Sequence, residues 1–124
     1  MTTNNLGGSM NCLPRYKVLF WVSDSGKKPV ADWLKALPKE DKMYLGGLLK
    51  DLAYDGPNSR PKVFKHIAGD LWEIRDLRKG AGFRIYFGFD GDTICIVLNS
   101  GNKSSQNRNI ELAHERLKGL TDGF

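Results

Sequence analysis

The stretch GFRIYFGFDGDTICIVLNS, residues 82–100, constrains the fold of this 124-residue chain more than any other. Phe83, Ile85, Phe87 and Phe89 alternate with Arg84 and Tyr86, a period of two that puts four apolar side chains on one face of a strand. Asp90-Gly91 then fits a two-residue hairpin turn, because both residue types tolerate positive φ. A pairing of Phe89 with Asp92 sets Tyr86 opposite Cys95 and Arg84 opposite Val97, with Ile94, Ile96 and Leu98 on the phenylalanine face. The preceding segment LWEIRDLR (71–78) alternates too, and KGAG (79–82) can close it onto the next strand. If Arg78 meets Phe83, Arg75 faces Tyr86. The core face predicted is Trp72, Ile74, Phe83, Ile85, Phe87, Ile94, Ile96 and Leu98; the opposite, uncovered face carries Glu73, Arg75, Arg84 and Tyr86.

The rest of the chain supplies one strand and three helices. YKVLFWV (16–22) is β-branched and aromatic. Val30, Trp33, Leu34 and Leu37 form one helical stripe, with Pro29 in the first turn. Leu45, Leu48, Leu49 and Leu52 form a second, which Gly46 and Gly47 weaken unless they let the helices approach closely; DGP (55–57) stops it. Residues 58–70 are expected to form a loop. Ile110, Ala113, His114 and Leu117 mark a last helix, with His114 packed or capping. Trp33, Trp72 and Tyr44 are expected in the core. The fold class predicted is α+β: a helical hairpin and a C-terminal helix packed on a mainly antiparallel four-stranded sheet. Residues 1–13 are polar and Gly/Asn-rich and are expected to form a flexible leader, with 14–124 a single domain.

No apolar run is long enough for a membrane span and no secretory signal is evident, so a cytoplasmic location is expected. In that compartment Cys12 and Cys95 are free thiols. Joined only by His66 and His114, they offer no metal spacing, so neither metal nor cofactor is expected.

Charge points to a partner. The net charge is +5, and residues 60–108 hold nine Lys/Arg against five Asp/Glu, whereas 109–124 hold two against three. A basic middle suggests a polyanion. The uncovered face offers Arg75 and Arg84, flanked by Lys65 and His66 on one side and by GNKSSQ (101–106) on the other. Lys65, Arg75, Arg84 and Lys103, with the hydroxyls and amide of Ser104, Ser105 and Gln106, would make a cationic, donor-rich pocket suited to a phosphodiester. The plain alternative for Arg75 is a structural ion pair with Glu73 or Asp76; for Lys103, a surface turn; for His66, an ordinary loop histidine. Arginine stays protonated and is a poor base, a lysine needs its pKa lowered to accept a proton, and His66 has a suitable ordinary pKa.

LWEIR, GAGFRIYF and GDTICIVLNSGNKSSQNRNIELAHERL, in this order, resemble the RelE/ParE toxin superfamily, in the branch of addiction-module killer proteins of HigB-like and phage-derived type. The resemblance runs from about Tyr16 to Leu117. It implies the toxin of a bacterial type II toxin–antitoxin system, a ribosome-dependent mRNA endonuclease that works without a metal by attack of the ribose 2′-hydroxyl on the adjacent phosphate. It implies that Lys65 is a proton-transfer or phosphate-contact group, that Arg75 and Arg84 are phosphate clamps, and that Lys103 matches the lysine of a GDKSSQ-like loop. Lys62, Arg78, Lys79, Tyr86, Ser104 and Gln106 are expected along the RNA, Tyr86 by stacking on a base. Phe83 and Asn102 stand where the family often has Tyr and Asp, and the tail RLKGLTDGF lacks the tyrosine that the RelE nuclease uses. The implied partners are an antitoxin of helix-turn-helix type, the ribosome and mRNA. The competing expectations are a ParE-like inhibitor that binds DNA gyrase without catalysis, and an inactive relative that only binds an antitoxin.

Overall fold

The computed structural model describes residues 13–80 and 82–122. The expected leader lies outside these residues except for Leu13, and so does Cys12. The elements run β1 (Lys17–Phe20), α1 (Pro29–Ala36), α2 (Lys39–Asp55), β2 (Phe64–Ala68), β3 (Leu71–Arg75), β4 (Phe83–Asp90), β5 (Ile94–Asn102), a 3-10 turn (Lys103–Ser105) and α3 (Gln106–Asp122). The sheet has five strands in the order β1-β5-β4-β3-β2. β1 is parallel to β5 and the other neighbours are antiparallel.

The strand absent from the sequence reading is β2. Phe64 pairs with Ile74, Lys65 with Glu73 and His66 with Trp72, then a bulge precedes Ala68. The bulge breaks the alternation that identifies a strand in sequence. Gly69-Asp70, between Ala68 and Leu71, is nonetheless a two-residue hairpin signal.

The β4–β5 register also differs from expectation. Asp90 pairs with Ile94 across three turn residues, and Phe89 pairs with Cys95 and Phe87 with Val97. Cys95 and Val97 therefore share the face of Ile74, Ile85 and Phe87, and Ile96 and Leu98 point the other way. A second bulge follows: Tyr86 pairs with Asn99, leaving Leu98 without an opposite residue. Across it, Leu98 packs in the cluster with Ala113, and Asn99 donates to the Asn109 carbonyl at 2.9 Å, so both face α3.

Two layers of helix result. Val30 of α1 and Leu45, Leu48, Leu49 and Leu52 of α2 pack on Val63, Phe64, Ile74, Ile85, Phe87, Cys95 and Val97. Burying each such aliphatic side chain contributes about 1.5–3 kcal/mol. Gly46 and Gly47 are exposed, and a Cβ on either would meet nothing within 4 Å, so they do not serve a close helix approach. The Cys95 thiol is free and buried, and burial pushes its pKa up to about 12. On the other side of the sheet, α3 covers Leu71, Tyr86, Ile96 and Leu98 with Ala113, Ile110 and Leu117. The face expected to be bare is thus roofed over much of its area. His114 is exposed rather than packed. Among the described residues no helix is long and apolar enough to cross a membrane.

Candidate active site

The sheet face under α3 carries two rows of side chains. Lys65, Glu73, Tyr86 and Asn99 are successive register partners across β2, β3, β4 and β5. Arg75, Arg84 and Gly101 form the next row. Two guanidiniums directly opposite each other are unfavourable unless an anion intervenes. Glu73 supplies it: Arg75 Nε donates to Oε1 at 2.8 Å and Arg84 Nε lies 3.9 Å from Oε2. Gln106 Nε2, at the first position of α3, donates to the same Oε2 at 2.7 Å. Glu73 is 1% exposed, whereas the Arg75 side chain keeps 39% exposure. Arg84 is 11% exposed and its Nη1 donates to the carbonyls of Gly82 and Phe83 at 3.2 and 3.1 Å.

The GNKSSQ segment is not an open loop. β5 runs through Asn102, one 3-10 turn follows, and α3 begins at Gln106. Asn102 Oδ1 accepts from the Ser104 backbone N–H at 3.1 Å and from the Ser104 hydroxyl at 2.6 Å, a local cap of the kind that fixes a helical entry. Ser105 Oγ accepts from Asn109 Nδ2 at 2.7 Å. The turn leaves Lys103 exposed. A Cβ on Gly82, whose φ is +63°, would stand 3.4 Å from Lys103 Cβ and 3.9 Å from Arg84 Nη1. Lys103 and Arg84 thus both border Gly82, where the positive φ is what favours glycine.

The structure gathers some of the expected residues and separates others. Arg75, Arg84 and Gln106 converge on Glu73; Lys65 shares that face as the register partner of Glu73; Lys103 stands at the Gly82 end. Arg75 does make the ion pair with Glu73 that was its structural alternative, and its terminal nitrogens bond no other described residue. His66 is displaced to the opposite face. It pairs with Trp72, its ring lies 5.1 Å from the Trp72 ring, and its Nε2 is 2.7 Å from the Gly69 carbonyl oxygen. Alternation along β2 turns it away from Lys65.

Tyr86 cannot stack on a base, because it is 0% exposed. Its hydroxyl makes no well-formed hydrogen bond among the described residues but lies near the Glu73 carboxylate; burial first, and then that carboxylate, push its pKa above the ordinary range. Arg78 is engaged elsewhere, bonded to Asp76 and Asp41 and lying 4.0 Å over the Tyr44 ring. Lys62 and Lys79 are exposed on turns at either side of the Arg75 end of β3. Sequence reasoning missed Glu73 as the hub: an acid in an alternating strand reads as a solvent-facing residue. The signal available was its place between Lys65 and Tyr86 on a face already rich in cations.

The arrangement places one buried carboxylate against two guanidiniums, with a lysine at either end. Positive charge remains in excess, and planar donors backed by an anion suit a phosphate oxygen. Among the described residues no His, Cys, Asp and Glu side chains group as a metal site.

The family model of the phage-derived Gp49-like proteins matches residues 32–118. No curated protein matches the chain. Among solved structures, a double arginine-to-alanine mutant of the E. coli toxin RelE, in the free state, is similar in fold. The TM-score is 0.54 at 14% identity, over 86% of this chain and 97% of that one.

Proposed function

The chain belongs to the phage-derived Gp49-like family, and from that membership we propose that it is the toxin of a type II toxin–antitoxin pair, a ribosome-dependent mRNA endonuclease acting by metal-independent phosphodiester cleavage. The observation that supports this reading best is the cross-strand pairing of Arg75 with Arg84 beside Glu73, with Lys103 brought up to Arg84 across Gly82. In this reading the ribose 2′-hydroxyl attacks the adjacent phosphorus and the 5′-oxygen of the next nucleotide leaves. Arg75 and Arg84 hold the non-bridging oxygens and offset the charge that develops on the phosphorane. They do not move protons at neutral pH. Glu73 is too deeply buried to meet the 2′-hydroxyl, and His66 lies on the far face. The proton-transfer groups are therefore Lys65, beside Glu73, and Lys103, beside Gly82.

The partner is an antitoxin of helix-turn-helix type, which neutralises the toxin by covering this face or by keeping it from the ribosome in the cytoplasm. Mapping of mRNA 5′ ends after induced expression tests the reading. New ends in frame with codons, lost in an Arg84→Ala/Lys103→Ala double variant that still folds, are the expected result. Intact transcripts accompanied by double-strand DNA breaks would overturn it in favour of gyrase inhibition without catalysis.

A further inference from the structure

Glu73 is an unusual residue to find in the middle of a buried strand. A carboxylate that is 1% exposed persists only when paired and hydrogen-bonded. Its three partners come from three segments: Arg75 on β3, Arg84 on β4 and Gln106 at the start of α3. Resting on the nuclease reading, we infer that Glu73 is a positioning residue, whose carboxylate sets the two guanidiniums against each other and, through Gln106, holds the Lys103 turn over them.

The geometry gives the reason. A guanidinium held by its Nε presents its two terminal nitrogens as a flat fork on the other side. Arg75 is held in this way, and its exposed fork has no bond to a described residue. Without an anion between them, Arg75 and Arg84 repel and splay apart. Without Gln106 on Oε2, the entry to α3, and with it the Lys103 turn, loses its tie to β3. Glu73 itself touches no substrate, so it acts through the arginines.

Single-turnover cleavage of ribosome-bound mRNA by the full chain separates positioning from binding. Misplacing a catalytic group by about 1 Å costs on the order of 100-fold. Glu73→Gln keeps the shape and removes the charge, so the saturating rate is expected to fall on the order of 30-fold, within that limit, while half-saturation moves less than about 3-fold. Glu73→Asp, which keeps the charge, should recover part of the rate. Gln106→Ala, at a half-buried position, should slow cleavage about 5-fold, the value of one hydrogen bond, in a chain whose folding is checked by circular dichroism.

The NMR signal of the Arg75 Nε–H reports the pairing directly and should exchange faster with water in Glu73→Gln. Wild-type rates in both Glu73→Gln and Gln106→Ala overturn the inference, and so does an Arg75 signal indifferent to Glu73→Gln. If Glu73→Gln does not fold, an unchanged rate in Gln106→Ala overturns it alone. A wild-type chain that leaves mRNA intact overturns the nuclease reading and with it this role, and the Arg75 signal then still tells whether Glu73 holds the arginine.

Discussion

Arg78 closes a two-point grip on Asp76, Nε to Oδ1 and Nη2 to Oδ2, each at 3.0 Å. Its Nη1 also reaches Asp41 on α2 at 3.1 Å, so one side chain ties the β3–β4 turn to the helical layer. Arg78→Ala leaves Asp76 buried without its cation. The expected loss of stability is about 2–3 kcal/mol, at or below the low end for broken buried pairs because the Arg78 side chain is itself 29% exposed. Urea denaturation measures this, and a midpoint equal to wild type would refute it.

The same pair makes stability depend on acid. Burial raises the Asp76 pKa, but the hydrogen bonds and charge of Arg78 outweigh it and hold the carboxyl below its ordinary value of 3.8. The unfolded chain therefore takes up the proton first as pH falls. The contribution is complete above about pH 4 and disappears as pH drops through the depressed native value. Asp76→Asn should lower stability at neutral pH and flatten the decline on the acid side. Parallel acid profiles for the two proteins would contradict the assignment.

Tyr86→Phe removes a buried hydroxyl that has no described partner and leaves the ring in place. Stability should stay level or rise by about 1 kcal/mol, since an unsatisfied polar group is lost. Thermal melting decides it; a drop of more than about 2 kcal/mol would mean that the hydroxyl bonds the Glu73 carboxylate or a buried water.

Gly101→Ala probes the seat of α3. Its Cβ would collide with the Asn109 amide, which must swing out of its bond to Ser105. A loss of about 1–3 kcal/mol is expected, from the crowding and the lost Asn109–Ser105 bond. A variant that melts like wild type would show the seat to be more yielding.

His66→Ala should cleave within about 2-fold of wild type, because His66 faces Trp72 on the far side of the sheet. A loss of 100-fold or more, the size expected of a general base, would place it in the reaction after all.

Periodicity made much of this architecture legible. The apolar stripes of α1, α2 and α3 and the alternation in β3 and β4 each point to the element observed. The pairing of Arg75 and Arg84 on one face followed from the same alternation, although the expected register was off. What failed were quantities that depend on single inserted residues. A bulge hid β2, and a three-residue turn re-phased the start of β5, sending Ile96 and Leu98 to the opposite face from the one expected until the second bulge restored the phase at Asn99. The role of Glu73 was illegible because its partners lie on β3, β4 and α3, and only the fold brings Gln106 to it. His66 and Tyr86 illustrate the same limit: chemistry suited both to a site, and strand phase and a covering helix removed them from it.

The supernumerary Leu98 works as a phase converter within β5. Before it, Cys95 and Val97 serve the layer of α1 and α2; after it, Asn99 and Gly101 serve the cationic row. Were the strand to run through Leu98 without the bulge, strict alternation would flip everything downstream, sending an amide into oil and the Lys103 turn to the wrong side. Point changes along this strand are graded injuries, whereas a strand pulled straight through that position would exchange the inside of the protein for the outside.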